Sequence, residues 1–184
     1  MNKSLKDAGI IDDVVDDFKP ACFLLPYYGV ERPVTLGNAL KKSTTKHAPS
    51  VKIYCPGNPH IRGLTVALTD PDAPSRDNPK WSEMCHWIAA VPESTSSATE
   101  FKVQYDPDDL DELVKYKNPA PPPKTGYHRY VFILLEGVNT NLTAPEDRQH
   151  WGTEKVRHGV RDWAKKEKLN VVGANFFYEK NKKQ

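Results

Sequence analysis

Residues 127–136 read YHRYVFILLE and are followed by Gly137. No other stretch limits the fold as much. The run is aromatic and β-branched, and a glycine closes it, which are the marks of a strand. Successive strand side chains point to opposite faces. His128, Tyr130 and Phe132 therefore share one face, and Tyr127, Arg129 and Val131 the other.

The same reading applies elsewhere in the middle of the chain. VKIYCPG alternates and ends in a turn, LTVALTD is a strand ending at Asp70, and HWIAAVP is a strand closed by Pro92. NVVGANFFYEK is a last strand, and CFLLPYYG is an apolar segment broken at Pro26. Helical spacing is confined to the ends. Leu5, Ile10, Ile11, Val14, Val15 and Phe18 recur among acids in residues 1–18, predicting one short helix or two before Pro20. Residues 144–169 place Val156, Val160, Trp163 and Ala164 at helical intervals, with acids early and lysines late, as the helix dipole favours. Between the strands lies a polar, proline-rich stretch from Ser94 to Gly126, in which PDDLDELVKY predicts one or two helical turns. Residues 180–184 read as a frayed basic tail.

No helix separates successive strands, so the order is mostly β or α+β and not βαβ. The 184 residues suit a single domain, 1–184, and no linker or repeat divides it. The prolines Pro119 and Pro121 to Pro123 lead straight into the strand at Tyr127 and predict a rigid loop. A net charge of +2 argues against a nucleic-acid binder, which concentrates basic residues. Cys22, Cys55 and Cys85 are odd in number and lack CxxC spacing, which predicts reduced thiols in a cytoplasmic protein. Neither a signal core nor a membrane-spanning window is present, so the Asn141-Leu142-Thr143 sequon carries little weight.

Chemistry gathers at strand ends. Asp70 ends one strand, Asp72 follows it, and His86 and His128 each open another. If these strands are neighbours, the four converge at one rim of the sheet. Taken singly, each has a plain explanation: acids beside prolines brace turns, histidines at strand ends pack, and Trp81 and Trp87 fill a core. Taken together, three chemistries can use them. Two histidines and two carboxylates suit a metal, but no compact ligand motif is present. A serine or cysteine hydrolase lacks a GxSxG elbow, and Cys85 lies on the opposite strand face from His86. The third chemistry is anion binding, in which histidine N–H groups and the Tyr130 hydroxyl donate and Gly126 lets backbone N–H groups approach. The two acids then hold the histidine tautomers.

Two motifs carry a resemblance. Asp70-Pro71-Asp72-Ala73-Pro74-Ser75-Arg76 followed by His86, and PPPKTGYHRYVF from Pro121 to Phe132, together resemble the phosphatidylethanolamine-binding protein family from about residue 20 to about residue 180. DAGIIDDVVDDF and VTLGN resemble its fungal carboxypeptidase Y inhibitor-like members, beside the Raf kinase inhibitor-like ones.

The resemblance implies a large, mostly antiparallel sheet packed on a smaller one, with peripheral helices near the termini. It implies an anion pocket lined by Asp70, Asp72, Trp81, His86, Gly126, His128 and Tyr130. Pro74, after a cis bond, and Pro121 and Pro122 shape its loops. The ligand would be phosphate, a phospholipid head group or a phosphorylated residue, with no metal, cofactor or catalytic residue. The implied role is non-enzymatic: regulation or inhibition of a partner such as a serine carboxypeptidase or a kinase, compatible with peripheral membrane contact. A metal- or histidine-dependent hydrolase is the alternative. One departure stands out: the family loop often reads PPKGTG, and here Lys124 replaces a glycine.

Overall fold

A computed structural model describes residues 1–94 and 100–184. Residues 95–99 of the polar stretch lie outside the described residues. In chain order the elements are α1 (Asn2–Asp7), α2 (Ile10–Asp13), β1 (Phe23–Tyr28), β2 (Arg32–Pro33), β3 (Asn38–Ala39), β4 (Ser50–Pro56), β5 (Leu64–Asp70), β6 (Met84–Ala90), β7 (Glu100–Tyr105), β8 (Asp111–Val114), β9 (Tyr127–Glu136), α3 (Val160–Lys166) and β10 (Asn170–Lys180). The larger sheet has the order β3-β10-β9-β5-β6-β8 and the smaller β2-β1-β4-β7. Every pairing is antiparallel except that of β3 with β10.

The large sheet is the middle layer. One face meets the small sheet through Leu24, Ile53, Leu68, Trp87, Phe132 and Phe177. The other face meets the helical segments through Ala67, Ile88, Val131, Ile133, Leu5 and Trp163. Strands β5 and β9 are therefore buried on both faces, which is why their apolar runs are almost continuous. Asn175 joins the layers: its amide donates to the Leu24 and Val34 carbonyls at 2.9 Å each, and its oxygen accepts from Leu36 N at 2.8 Å.

Several expectations change. Strand β1 runs unbroken through Pro26. The Pro26 carbonyl accepts from Val34 N on the β2 side. In an antiparallel strand the missing N–H falls on that same side, so the ladder to β4 loses nothing. The predicted turns at 107–116 are a 3-10 turn, Pro107–Asp109, followed by strand β8. Edge pairing to β6 and the bond from Trp87 Nε1 to Glu112, 2.8 Å, outweigh the local preference. Helix α3 begins only at Val160, and Val156 is exposed. The buried Glu83 carboxylate takes the N–H groups of Gly159 and Val160 at 3.1 and 3.2 Å and so sets that start.

Cys22 and Cys55 form a disulfide, and Cys85 is the free, buried thiol. Phe23 pairs with Tyr54, so Cys22 and Cys55 lie opposite each other one step along the same ladder. The register brings them together, and a count of cysteines does not show it. The cysteines therefore no longer argue for a reducing compartment. The tail is not frayed. Lys183 O accepts from Lys124 N at 2.9 Å, Gln184 Oε1 accepts from Gly126 N at 3.0 Å, and Asn181 donates to the Pro121 carbonyl at 2.9 Å. Among the described residues no helix is long and apolar enough to cross a membrane.

Candidate functional site

Strand β5 pairs with both β6 and β9, antiparallel to each. The end of β5 and the starts of β6 and β9 therefore meet at one rim of the large sheet. A cavity of about 120 Å³ opens there, lined on the sheet side by Asp70, Pro74, Trp81, His86, His128 and Tyr130. The loop carrying Lys117, Asn118, Pro121 and Pro122 closes the other side. Sites for drug-sized molecules run to about 300–1,000 Å³. This cavity has room for a small group and not for a whole lipid.

The acids do different jobs. Asp70 Oδ2 accepts from His128 Nδ1 at 2.9 Å, and Asp70 Oδ1 accepts from Asp72 N at 2.7 Å. Asp72 holds no histidine and does not line the cavity. It accepts from Arg129 N and Nε at 2.9 Å each and from Nη2 at 2.7 Å. Arg129 is fully buried and extends to the N-terminal segment, donating to Asp13 at 2.8 Å and to Ala8 O at 2.9 Å. Burial pulls its guanidinium down, but Asp72 and Asp13 outweigh that and raise it.

Chain geometry aims His86. The register between β5 and β6 shifts at this point, pairing Leu68 with Trp87 and Thr69 with Cys85. The extra residue is His86, placed by a bulge of the kind that re-aims side chains. Its Nδ1 lies 2.6 Å from the Lys117 carbonyl. A carbonyl only accepts, so Nδ1 carries the proton and Nε2 is left with its lone pair. Burial pulls this ring down from 6.5, against the Asp70 charge and the Lys117 carbonyl. Burial thus favours the neutral ring.

Tyr130 lies between the two histidines, edge-on to His86 with centroids at 5.3 Å and stacked with His128 at 6.2 Å. Burial pushes its hydroxyl well above the ordinary range, and Asp70 and Glu179 push the same way. The phenol stays protonated, and Asp70 is its hydrogen-bond partner. The Thr125 hydroxyl donates to the Pro122 carbonyl at 2.8 Å, so its oxygen is the acceptor toward His128 Nε2, 2.9 Å away. Trp81 is partly exposed at the mouth, and Lys80 Nζ sits 5.3 Å from its ring centre. The Ala73–Pro74 peptide is cis, as expected.

Gly126 does not serve as expected. It does not line the cavity, and its N–H is taken by Gln184. Two contributors escaped the sequence. Lys117 acts through a backbone carbonyl and leaves no side-chain signal. Thr125, three residues before His128 in KTGYH, carried a signal that was not used. Cys85 faces the helical layer, and burial pushes its thiol up to about 12. Among the described residues, no group of three or more His, Cys, Asp or Glu side chains is arranged to hold a metal ion.

A two-sheet core with a histidine-lined cavity at the sheet rim defines a class, and the comparisons place the chain in it. Residues 30–177 match the phosphatidylethanolamine-binding protein family, and the chain belongs to that family. It is 35% identical to the carboxypeptidase Y inhibitor of Saccharomyces cerevisiae, over 97% of this chain and 94% of the relative. It is 33% identical to FLOWERING LOCUS T of Arabidopsis thaliana, over 92% of this chain and 85% of the relative. The solved structure of a carboxypeptidase Y inhibitor complexed with its cognate proteinase superposes with a TM-score of 0.86 at 33% identity, covering 98% of this chain and 94% of that one.

Proposed function

We propose that this protein is a non-enzymatic inhibitor of a serine carboxypeptidase, with a rim cavity that takes a small anion. The anion is a phosphate, free or at the end of a lipid head group or phosphorylated residue. The observation that carries the ligand reading is His86, with Nδ1 fixed on the Lys117 carbonyl and Nε2 left for the cavity. Similarity to the yeast inhibitor along nearly the whole chain supports the partner reading.

The mode of inhibition needs a test that preserves the fold. Leu5, Ile10, Ile11, Val14 and Val15 are buried in the core, so they are not free to enter a peptidase cleft as the chain stands. Deleting residues 1–18 removes part of that core. The full chain is therefore assayed against carboxypeptidase Y, beside Lys3→Glu, at an exposed position of α1, and His86→Ala. Inhibition by the full chain is expected, weakened by Lys3→Glu and retained by His86→Ala. No inhibition by the full chain removes the reading. For the cavity, phosphate binding is measured by calorimetry, and equal affinity in wild type and His86→Ala overturns it.

A further inference from the structure

The connection from β3 to β4 reads LKKSTTKHAP over residues 40–49. Thr44 is the only serine or threonine of the sequence preceded by lysine or arginine at both the second and the third position before it. Those residues are Lys42 and Lys41. Burial separates the three neighbouring hydroxyls. Thr45 is fully buried, and its hydroxyl donates to Glu179 Oε2 at 2.7 Å. Ser43 is exposed, but the two lysines fall one and two positions before it. Thr44 is partly exposed, and its Oγ1 accepts from Arg32 Nη1 at 3.1 Å. Arg32 is itself exposed, on β2.

Lys41 to Thr44 form a turn, closed by the bond from Thr44 N to the Lys41 carbonyl at 2.7 Å. Lys41, Lys42 and Ser43 are exposed, so the turn opens locally at low cost. We propose that Thr44 is a phosphorylation site for a protein kinase that reads basic residues, with Arg32 as the clamp for the phosphate. Such a kinase carries acids in its substrate groove and selects the lysines before the acceptor by charge. In the transfer the Thr44 oxygen attacks the γ-phosphorus of a nucleoside triphosphate. The Oγ–P bond forms, the bond to the bridging β-phosphate oxygen breaks and the nucleoside diphosphate leaves. The hydroxyl proton passes to the aspartate base of the kinase.

The phosphate brings a charge of about −1.5 to −2 and three acceptor oxygens. It is carried by the atom that Arg32 already contacts, so the guanidinium takes two of those oxygens side by side. That clamp ties the β3–β4 turn to β2. Lys41 and Lys42 also line a cavity beside the tail with Lys180, Lys182 and Lys183. The modification therefore sets negative charge beside a positive face, and it brings the net charge of +2 to about zero.

The test incubates the folded full chain with magnesium ATP and the catalytic subunit of cyclic-AMP-dependent protein kinase, which reads basic residues. Incorporation of one phosphoryl group is followed by intact mass and located by peptide fragmentation. Labelling is expected at Thr44, lost in Thr44→Val and retained in Ser43→Ala. Lys41→Ala/Lys42→Ala slows it by at least about tenfold. At low salt the phosphorylated chain melts about 2–4 °C above the unmodified one, and Arg32→Gln, measured with and without phosphate, loses that rise. Four results overturn the proposal: no labelling of the folded wild type, labelling that persists in Thr44→Val, an undiminished rate in the double-lysine variant, or a rise in melting temperature as large in Arg32→Gln as in wild type.

Discussion

Arg129 and Asp72 are joined by three hydrogen bonds of 2.7–2.9 Å, and both residues are fully buried. The guanidinium then reaches Asp13, whose other oxygen accepts from Arg157 at 2.9 Å. One buried ion pair thus fastens the N-terminal segment to the central strand. Removing Asp72 leaves the buried guanidinium with only the partly exposed Asp13 as counter-charge, and breaking a buried pair costs about 3–5 kcal/mol. Asp72→Ala is therefore expected to lower stability by that amount in urea denaturation. A loss under about 1 kcal/mol would show the pair to be dispensable.

If the rim cavity takes an anion as proposed, His86 is expected to make that binding depend on pH. Burial lowers its ring from 6.5 and so favours the neutral form. Sulfate stays a dianion between about pH 5 and 8, so any change in affinity there reports the protein's own groups. Its affinity should rise as pH falls, by at most about tenfold per unit. His86→Ala should flatten the profile. A wild-type profile that is already flat between about pH 5 and 8 would be incompatible with proton recruitment by this ring.

Glu83 makes stability depend on pH in the same direction. Burial raises its carboxyl from 4.5 to about 7, against the helix N–H groups of Val160 and Gly159 and the Thr69 hydroxyl. A raised folded-state value means the native protein binds this proton more tightly than the unfolded chain. The contribution is fully present below pH 4.5 and is lost as pH rises through about 7. The full shift corresponds to roughly 3 kcal/mol. Glu83→Gln should therefore remove part of the fall in stability between about pH 5 and 8, read from melting temperatures across that range. An unchanged slope would mean that Glu83 is not the group responsible.

Lys124 stands where the related loop often has glycine, and its φ is +61°. A side chain costs about 1–2 kcal/mol in that region. Glycine gives back part of this through its looser unfolded chain. Lys124→Gly is expected to stabilise the protein by roughly 0.5–1 kcal/mol in denaturant unfolding. Destabilisation would show that the Lys124 side chain makes a contribution larger than its backbone strain.

Much of the architecture was legible because strand alternation and apolar runs are local signals. YHRYVFILLE announced β9 and sorted its faces: Tyr130 and Phe132 toward the small sheet, Val131 toward the helices. LTVALTD and CHWIAAV announced the strands whose ends bear Asp70 and His86. Local patterning does not report register, and register made the rest. It set Cys22 opposite Cys55. It inserted one extra residue at His86 and so aimed that ring into the cavity. It also decided between two acids two residues apart. Asp70 turns to His128, while Asp72 turns to Arg129, whose side chain lies on the opposite strand face. The tail and the lysine-lined cavity were invisible for the same reason: Asn181, Lys183 and Gln184 bond to a loop some 60 positions away. Side-chain type and spacing along the chain determined the strands and the residues at their ends. Only long-range pairing decided which of those residues touch, because contact energies across a sheet depend on neighbours that the chain order does not specify.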